Sequence, residues 1–187
     1  MKSYNDTTYA ILGILTTDCT SGYDIKKLID QSLNHFWKIS YGQIYPTLKL
    51  LVKEELAEVA PSSEGGRKDR NEYSLTEKGV NTLKTWLEEP VQQLPAEKNE
   101  ILLKLFFGNH QSNQATIRLI EDYRTKLETR YQTYVAIETS IKEHDSASKD
   151  AKYWLYTLDY GKKTTKAAID WCAATIESIL EGVESNE

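Results

Sequence analysis

The sequence predicts a mainly α-helical protein with one small β-hairpin, arranged as a winged helix-turn-helix domain followed by a helical C-terminal domain. Three observations predict this fold class. Apolar residues recur at helical spacing in three segments before residue 56, two segments of alternating polarity follow, and beyond residue 95 the pattern is helical nearly throughout. Three helices followed by a hairpin are typical of the winged helix-turn-helix fold.

Each element of the first domain has its own local signal. The stretch "YAILGIL" predicts a short opening helix, and "TSGYDIKKLIDQSLNHFW" predicts a second helix that begins after Ser21-Gly22. A third helix is predicted from about Tyr41 to Glu55. The segments "LAEVA" and "RNEYSLT" alternate as half-buried strands do, and Thr76 is placed to cap a fourth helix in "TEKGVNTLKTWLEE".

The third helix contains a helix breaker within an apolar pattern, in the stretch "YGQIYPTLKLL". On a helical wheel one apolar arc faces the other helices, whereas Gly42, Pro46 and Lys49 fall on the opposite side. Lys49 is therefore also a candidate DNA contact. A flat face that is poor in side chains lets the backbone approach a DNA groove closely, and Gln43 is then free to hydrogen-bond base edges. Ser40 and Gln43 also form a capping-box pattern. The alternative is a slightly kinked surface helix.

The predicted hairpin has a basic tip. Between its strands, "PSSEGGRKDR" contains a Gly-Gly turn signal followed by Arg67, Lys68 and Arg70. The whole chain has a net charge of −5, so nucleic-acid binding would have to depend on local patches of this kind. A basic loop tip is by default only solvated, but its position directly after the third helix favours contacts with DNA phosphates. Tyr23, at the start of the second helix, is a further candidate for a phosphate hydrogen bond.

Pro90 and Pro95 bracket a short polar stretch that we interpret as the domain boundary. It separates a winged helix-turn-helix DNA-binding domain at residues 1–92 from a helical dimerisation and effector domain at residues 93–187.

The second domain is predicted to contain one short helix, ending near Gly108, and two long helices over about 113–143 and 150–183. The apolar stripe of the first long helix is nearly heptad and suits helix–helix pairing; it comprises Ile120, Tyr123, Leu127, Tyr131, Tyr134, Ile137 and Ile141. Because these stripes exceed what one partner helix can bury, a homodimer is expected.

Composition and motif content argue against several protein classes. The chain is 40% hydrophobic, and no apolar run approaches the roughly 20 residues that a membrane helix needs. Its two cysteines lie far apart, which favours a reduced, cytoplasmic protein. The three histidines lack zinc-ligand spacing, no glycine loop for phosphate occurs, and neither cysteine has a histidine nearby in sequence. We therefore predict no catalytic residue, no cofactor and no metal site.

Several motifs of the first 90 residues together resemble the PadR family of bacterial transcriptional regulators. These are "YAILGIL", the Ser-Gly-Tyr turn, "FWKISYGQIYPTLKLLVKEELAE" and the closing "SLTEKG", while "ILLKLFF" and the last long helix are similar to the longer subfamily of phenolic-acid-responsive repressors. The resemblance implies a homodimer that binds a two-fold-related operator and is released by a small molecule. It places DNA contacts on the third helix and the wing, at Tyr41, Gly42, Gln43, Tyr45, Pro46, Arg67, Lys68 and Arg70.

Aromatic side chains are the candidates for an effector site, since they could line a pocket for a flat ligand. We select Trp37, Phe106, Trp154 and Tyr160, although aromatic residues at helical spacing form core far more often than a ligand site. A phenolic acid and a planar hydrophobic drug both remain open as ligands. A different class of function also remains open, namely a dimeric protein-interaction module whose winged domain binds protein and not DNA.

Overall fold

The computed structural model describes residues 3–61, 71–94 and 98–184. The chain forms two compact units, residues 1–94 and residues 95–187. Within the described residues the protein is helical apart from one antiparallel two-stranded sheet, so the predicted fold class is confirmed.

The N-terminal unit has the element order of a winged helix-turn-helix. Its elements are α1 (Asp6–Ile14), α2 (Gly22–Gln31), a single 3-10 turn (Leu33–His35), α3 (Tyr41–Lys53), β1 (Ala57–Pro61), β2 (Asn71–Leu75) and α4 (Glu77–Glu88). One core holds the helices and the base of the hairpin together, and its fully buried apolar members are Ile11, Leu12, Ile25, Ile29, Ile44, Leu48, Leu51 and Leu56. Aliphatic side chains of this kind supply most of the stability of so small a unit.

The second helix is shorter than the apolar pattern predicts. The predicted stretch runs through Trp37, whereas α2 ends at Gln31 and only one 3-10 turn follows. The backbone leaves helical geometry at Ser32, whose hydroxyl donates to the Leu28 carbonyl oxygen at 2.6 Å.

The end of α3 forms a Schellman motif. Leu56 N–H donates to the Leu51 carbonyl at 2.8 Å, and Glu55 N–H donates to the Val52 carbonyl at 3.1 Å. This geometry places Glu55 in the left-handed region, with φ of 57°, where glycine is usually found. The buried side chains of Leu51 and Leu56 provide the hydrophobic contact that often accompanies the motif.

The hairpin and α4 follow α3 directly. Strands β1 and β2 pair antiparallel, with Ala57 opposite Leu75. The predicted cap of α4 is confirmed, since Thr76 Oγ1 accepts from Gly79 N–H at 3.0 Å. Gly79 lies so close to the preceding segment that a Cβ there would come 2.0 Å from the Leu56 carbonyl oxygen. Only glycine fits at this point, because the obstacle is backbone and cannot swing away.

The C-terminal unit consists of helices. They are α5 (Glu100–Phe106), a 3-10 turn (Gly108–His110), α6 (Asn113–His144) and α7 (Ala151–Glu184). The buried residues of α6 include Ile120, Leu127, Tyr134 and Ile141, which confirms the predicted stripe at every seventh position.

Helices α6 and α7 pack against each other as an antiparallel pair. Glu138 on α6 bonds to Lys162 on α7, and a Cβ at Gly161 would meet the Tyr134 ring at 3.1 Å. Farther from the connecting loop, the fully buried Cys172 of α7 packs in one cluster with Ile120 of α6. Small residues on α7 therefore allow the two long helices to approach closely.

Candidate nucleic-acid interface

Helix α3 has one buried face and one exposed face. Ile44, Thr47, Leu48 and Leu51 are buried in the N-terminal unit. The opposite face is exposed and consists of Tyr41, Gly42, Gln43, Tyr45, Pro46 and Lys49, all of them predicted DNA contacts. The structure therefore brings the helical part of the predicted site together on one surface.

Pro46 lies on this exposed face in the second turn of α3. It cannot donate a hydrogen bond to the Gly42 carbonyl, so this turn of α3 lacks one backbone hydrogen bond. Nothing but the Ser40 side chain, at 3.7 Å, would meet a Cβ built on Gly42. The backbone at Gly42 can therefore be approached closely.

Gln43 caps the start of α3, as the capping-box pattern predicts, so its side-chain oxygen is not free for base recognition. Its Oε1 accepts from Ser40 N–H at 3.1 Å, which is the reciprocal half of a capping box. The side-chain amide group has two N–H donors in addition to this oxygen. Any base recognition by Gln43 must therefore use its donors while the oxygen holds the helix start.

Tyr41 is held by two residues of α2. Its phenol donates a hydrogen bond to the Asp30 carboxylate, and Lys26 Nζ lies 4.3 Å from the centre of its ring. The hydrogen bond to Asp30 raises the pKa of the Tyr41 phenol above its ordinary value of 10.0, so the group remains a donor near neutral pH. Sequence reasoning misses Asp30, since it lies 11 residues from its partner and belongs to no local motif.

The other aromatic residue on this face, Tyr45, rests on α2 at a glycine. A Cβ at Gly22 would lie 2.7 Å from Tyr45 Cε1. The Tyr45 side chain is nevertheless 58% exposed, as is that of Tyr23 in the first turn of α2. Both phenols are thus accessible at the junction of α2 and α3.

The basic tip of the wing, with Arg67, Lys68 and Arg70, lies outside the described residues. The strands that carry it are described: β1 ends at Pro61 and β2 begins at Asn71.

The effector candidates do not form one pocket within the C-terminal unit. Phe106 is 82% exposed, and its neighbour Leu105 packs against the buried cluster that contains Ile120 and Cys172. The first residue of α7 that packs against this cluster is Ala168. Trp154 precedes Ala168 by 14 residues, about 21 Å along a helix. Tyr160 is exposed on α7 between them, and Trp37 is a partly exposed residue of the N-terminal unit.

Other kinds of site find no support in the part of the chain that the structure describes. No group of three or more potential metal ligands occurs there, and no helix is long and apolar enough to cross a bilayer. Burial raises the pKa of the Cys172 thiol, which disfavours the reactive thiolate.

Comparison with known proteins identifies the family. Residues 11–85 match the transcriptional regulator PadR-like family, and residues 97–179 match the virulence activator alpha C-terminal family. The chain is also 29% identical over 184 residues to the negative transcriptional regulator PadR of Bacillus subtilis (strain 168), covering 95% of this chain and 97% of that protein. The chain belongs to the PadR family of transcriptional regulators.

Solved structures of the PadR family share the whole architecture. The crystal structure of Bacillus subtilis PadR in complex with operator DNA superimposes with a TM-score of 0.83 at 27% identity, covering 94% of this chain and 99% of that one. The same protein in complex with p-coumaric acid gives a TM-score of 0.76 at 28% identity, covering 92% and 97%. The PadR family consists of regulators, so this chain is a DNA-binding transcriptional regulator and not an enzyme.

Proposed function

We propose that this protein is a homodimeric repressor that binds double-stranded operator DNA in the cytoplasm and is released by a small aromatic ligand. The observation that carries the proposal is the exposed face of α3, which presents Gly42, Gln43 and Pro46 while the opposite face is anchored in the core. A rigid helix with a flat, hydrogen-bonding outer face suits the DNA major groove. The operator complex of the Bacillus subtilis relative supports this assignment.

In this proposal, one set of residues recognises the base sequence and another binds the DNA phosphates. Tyr41, Gln43 and Tyr45 meet base edges together with the backbone around Gly42 and Pro46. Phosphates are bound by Tyr23 and Lys49 beside them, and by the three basic residues of the wing tip, Arg67, Lys68 and Arg70. Contacts to phosphate fix the register on the duplex, whereas contacts to bases select the sequence.

Dimer formation is assigned to the C-terminal unit. Helix α5 exposes Leu102, Leu103 and Phe106, and Phe107 directly after it is also exposed. The first half of α7 exposes Tyr153, Tyr156 and Tyr160. So many exposed large apolar side chains on one small unit indicate a protein interface. A two-fold axis through this unit would bury the same residues twice and present two α3 helices to a two-fold-related operator.

A phenolic acid is the ligand class that we propose, because the relative that resembles this chain along its whole length was solved with p-coumaric acid. A single ring with an acid side chain is too short to touch Phe106 and Trp154 in the same chain. We therefore propose that the ligand meets Trp154 or Phe106 where a partner subunit completes the site. Thermal-shift measurements with phenolic acids and with planar hydrophobic drugs would separate the two ligand classes.

The proposed function is tested by DNA binding and sedimentation on the full chain. Fluorescence anisotropy should show tighter binding to the region upstream of the protein's own gene than to a shuffled duplex of equal composition. Changing Arg67, Lys68 and Arg70 to glutamine should reduce the slope of log affinity against log salt by about 0.9 for each phosphate that is no longer neutralised. Lys84→Gln, on the exposed face of α4, is the matched control.

The competing function is a dimeric protein-interaction module without DNA binding. It predicts equal, weak affinity for the upstream and shuffled duplexes and no effect of the wing substitutions on salt dependence. That result would overturn the proposal, and so would a monomer in sedimentation velocity at micromolar concentration.

A further inference from the structure

The contact between Asp30 and Tyr41 joins the end of α2 to the start of α3. Asp30 is the last residue but one of α2, and Tyr41 is the first residue of α3. The Asp30 carboxylate accepts from the Tyr41 phenol and from Asn34 Nδ2, the latter at 3.0 Å. Lys26, one turn earlier on α2, covers the Tyr41 ring. The ring is therefore fixed at its edge and at its face although it is 47% exposed.

An acid at this place opposes two physical preferences. The C-terminal end of a helix carries partial negative charge, and α2 has no basic residue in its last turn. A carboxylate also repels phosphates, so it should be disfavoured beside a surface that approaches DNA. The charge of Asp30 favours neither the end of α2 nor attraction to DNA, whereas its hydrogen bonds with Tyr41 and Asn34 give this acid a role.

We propose that Asp30 is a positioning residue for DNA recognition, which fixes the Tyr41 side chain in the orientation that reads the operator. This inference rests on the proposed function, and it adds a residue of α2 to the determinants of sequence specificity. An exposed tyrosine that rotates freely must be ordered when it binds, which lowers affinity. Asp30 orders the ring in advance, so this penalty is avoided at the operator. Non-specific binding needs no such order and gains nothing from the contact.

The test compares four variants of the full chain with the wild type on the upstream duplex and on a shuffled duplex. They are Asp30→Ala, Asp30→Asn, Tyr41→Phe and the double variant Asp30→Ala/Tyr41→Phe. Asparagine keeps an oxygen that accepts the phenol hydrogen bond and removes the charge, whereas alanine removes both. Circular dichroism and thermal unfolding establish that each variant is folded.

Asp30→Ala should bind the upstream duplex about tenfold more weakly, consistent with one or two side chains that must now be ordered on binding. Its affinity for the shuffled duplex should not decrease, and removal of the negative charge should if anything increase it. Asp30→Asn should stay within about threefold of the wild type on the upstream duplex. Once Tyr41→Phe has removed the hydroxyl, adding Asp30→Ala should weaken binding no further, because the two residues act as one unit.

Other outcomes overturn the inference. If alanine and asparagine act alike, Asp30 works through its charge alone. Additive effects in the double variant would show that Asp30 does not act through Tyr41, and parallel decreases in affinity on both duplexes would indicate a purely structural role. A wild-type protein that does not prefer the upstream duplex would instead overturn the proposed function itself, and the inference with it.

Discussion

The aromatic ring of Tyr45 lies directly against Gly22, so closely that a single added methyl group at Gly22 would come within 2.7 Å of the ring carbon Cε1. Gly22 is the first residue of α2, and Tyr45 stands on the exposed face of α3. The absence of a side chain at one helix start therefore sets the position of a ring on the surface that we propose to meet DNA.

Gly22→Ala should weaken operator binding by roughly tenfold, since the displaced Tyr45 ring no longer meets the base edge that we propose it contacts. The midpoint of urea unfolding should change little, because the ring is exposed and can swing outward. Gly13→Ala in α1 is the matched control, as nothing lies within 4 Å of its added methyl group. Equal operator affinity of both variants would show that the position of Tyr45 does not matter for recognition.

Local sequence signals predict much of this fold. The cap at Thr76 and the heptad stripe from Ile120 to Ile141 depend only on neighbours within one or two turns, and the structure contains both. The predicted end of α2 is wrong because the apolar pattern continues through Leu33, whereas the backbone leaves helical geometry at Ser32. An apolar pattern alone does not show where a helix ends.

The site is less predictable than the fold for a physical reason. The wheel of α3 identifies which residues are exposed, but contacts such as Asp30 with Tyr41 depend on how α2 and α3 cross. The same limit applies to the aromatic residues proposed for the effector. Phe106 and Trp154 belong to one unit and are both aromatic, yet the long helix α7 holds them far apart.

Glu55→Gly should stabilise the N-terminal unit. The left-handed conformation costs a non-glycine residue about 1 kcal/mol, and glycine adopts it without strain. Part of this gain is offset by the greater freedom of glycine in the unfolded chain, so an increase of up to about 1 kcal/mol in the free energy of unfolding is expected. The ion pair from Lys78 to Glu55, at 3.6 Å, is exposed and contributes little.

Glu55→Ala separates backbone strain from the removal of that ion pair. It removes the carboxylate but keeps the β-carbon, so urea unfolding should show no stabilisation. If alanine stabilises the protein as much as glycine does, the left-handed strain at Glu55 is not the cause.

The pH dependence of stability should contain a contribution from Glu138. Hydrogen bonds from Lys142 and Lys162 hold the pKa of its carboxyl at about 2, below the ordinary value of 4.5. The unfolded chain therefore takes up this proton first as the pH falls. The stabilisation is fully present above pH 4.5 and disappears between about 4.5 and 2.

Glu138→Gln should flatten the acid side of the stability curve in that range and lower the free energy of unfolding at pH 7 by up to about 1 kcal/mol. Lys162→Met should reproduce part of this effect because it breaks the bond between α6 and α7. Lys163→Met, whose partner Asp159 lies on the same helix, is the control and should leave the dependence on Glu138 intact. If Glu138→Gln loses as much stability between about pH 4.5 and 2 as the wild type does, Glu138 is not the source of this pH dependence.

Substitutions at Gln43 can separate its two roles, because glutamate preserves one of them. Gln43→Ala removes both the cap on Ser40 N–H and the amide donors, so it should lower helix stability as well as operator affinity, the latter by roughly 1–3 kcal/mol. Gln43→Glu keeps an oxygen for the cap and completes the Ser-x-x-Glu form of the capping box. It should therefore unfold at the wild-type midpoint yet bind the upstream duplex at least as poorly as alanine does, since the donors are gone and a carboxylate faces the bases.

The alanine variant should bind shuffled DNA almost as the wild type does. Wild-type operator affinity in Gln43→Glu would mean that Gln43 serves α3 only as a cap, and that base recognition belongs to the tyrosines on either side of it.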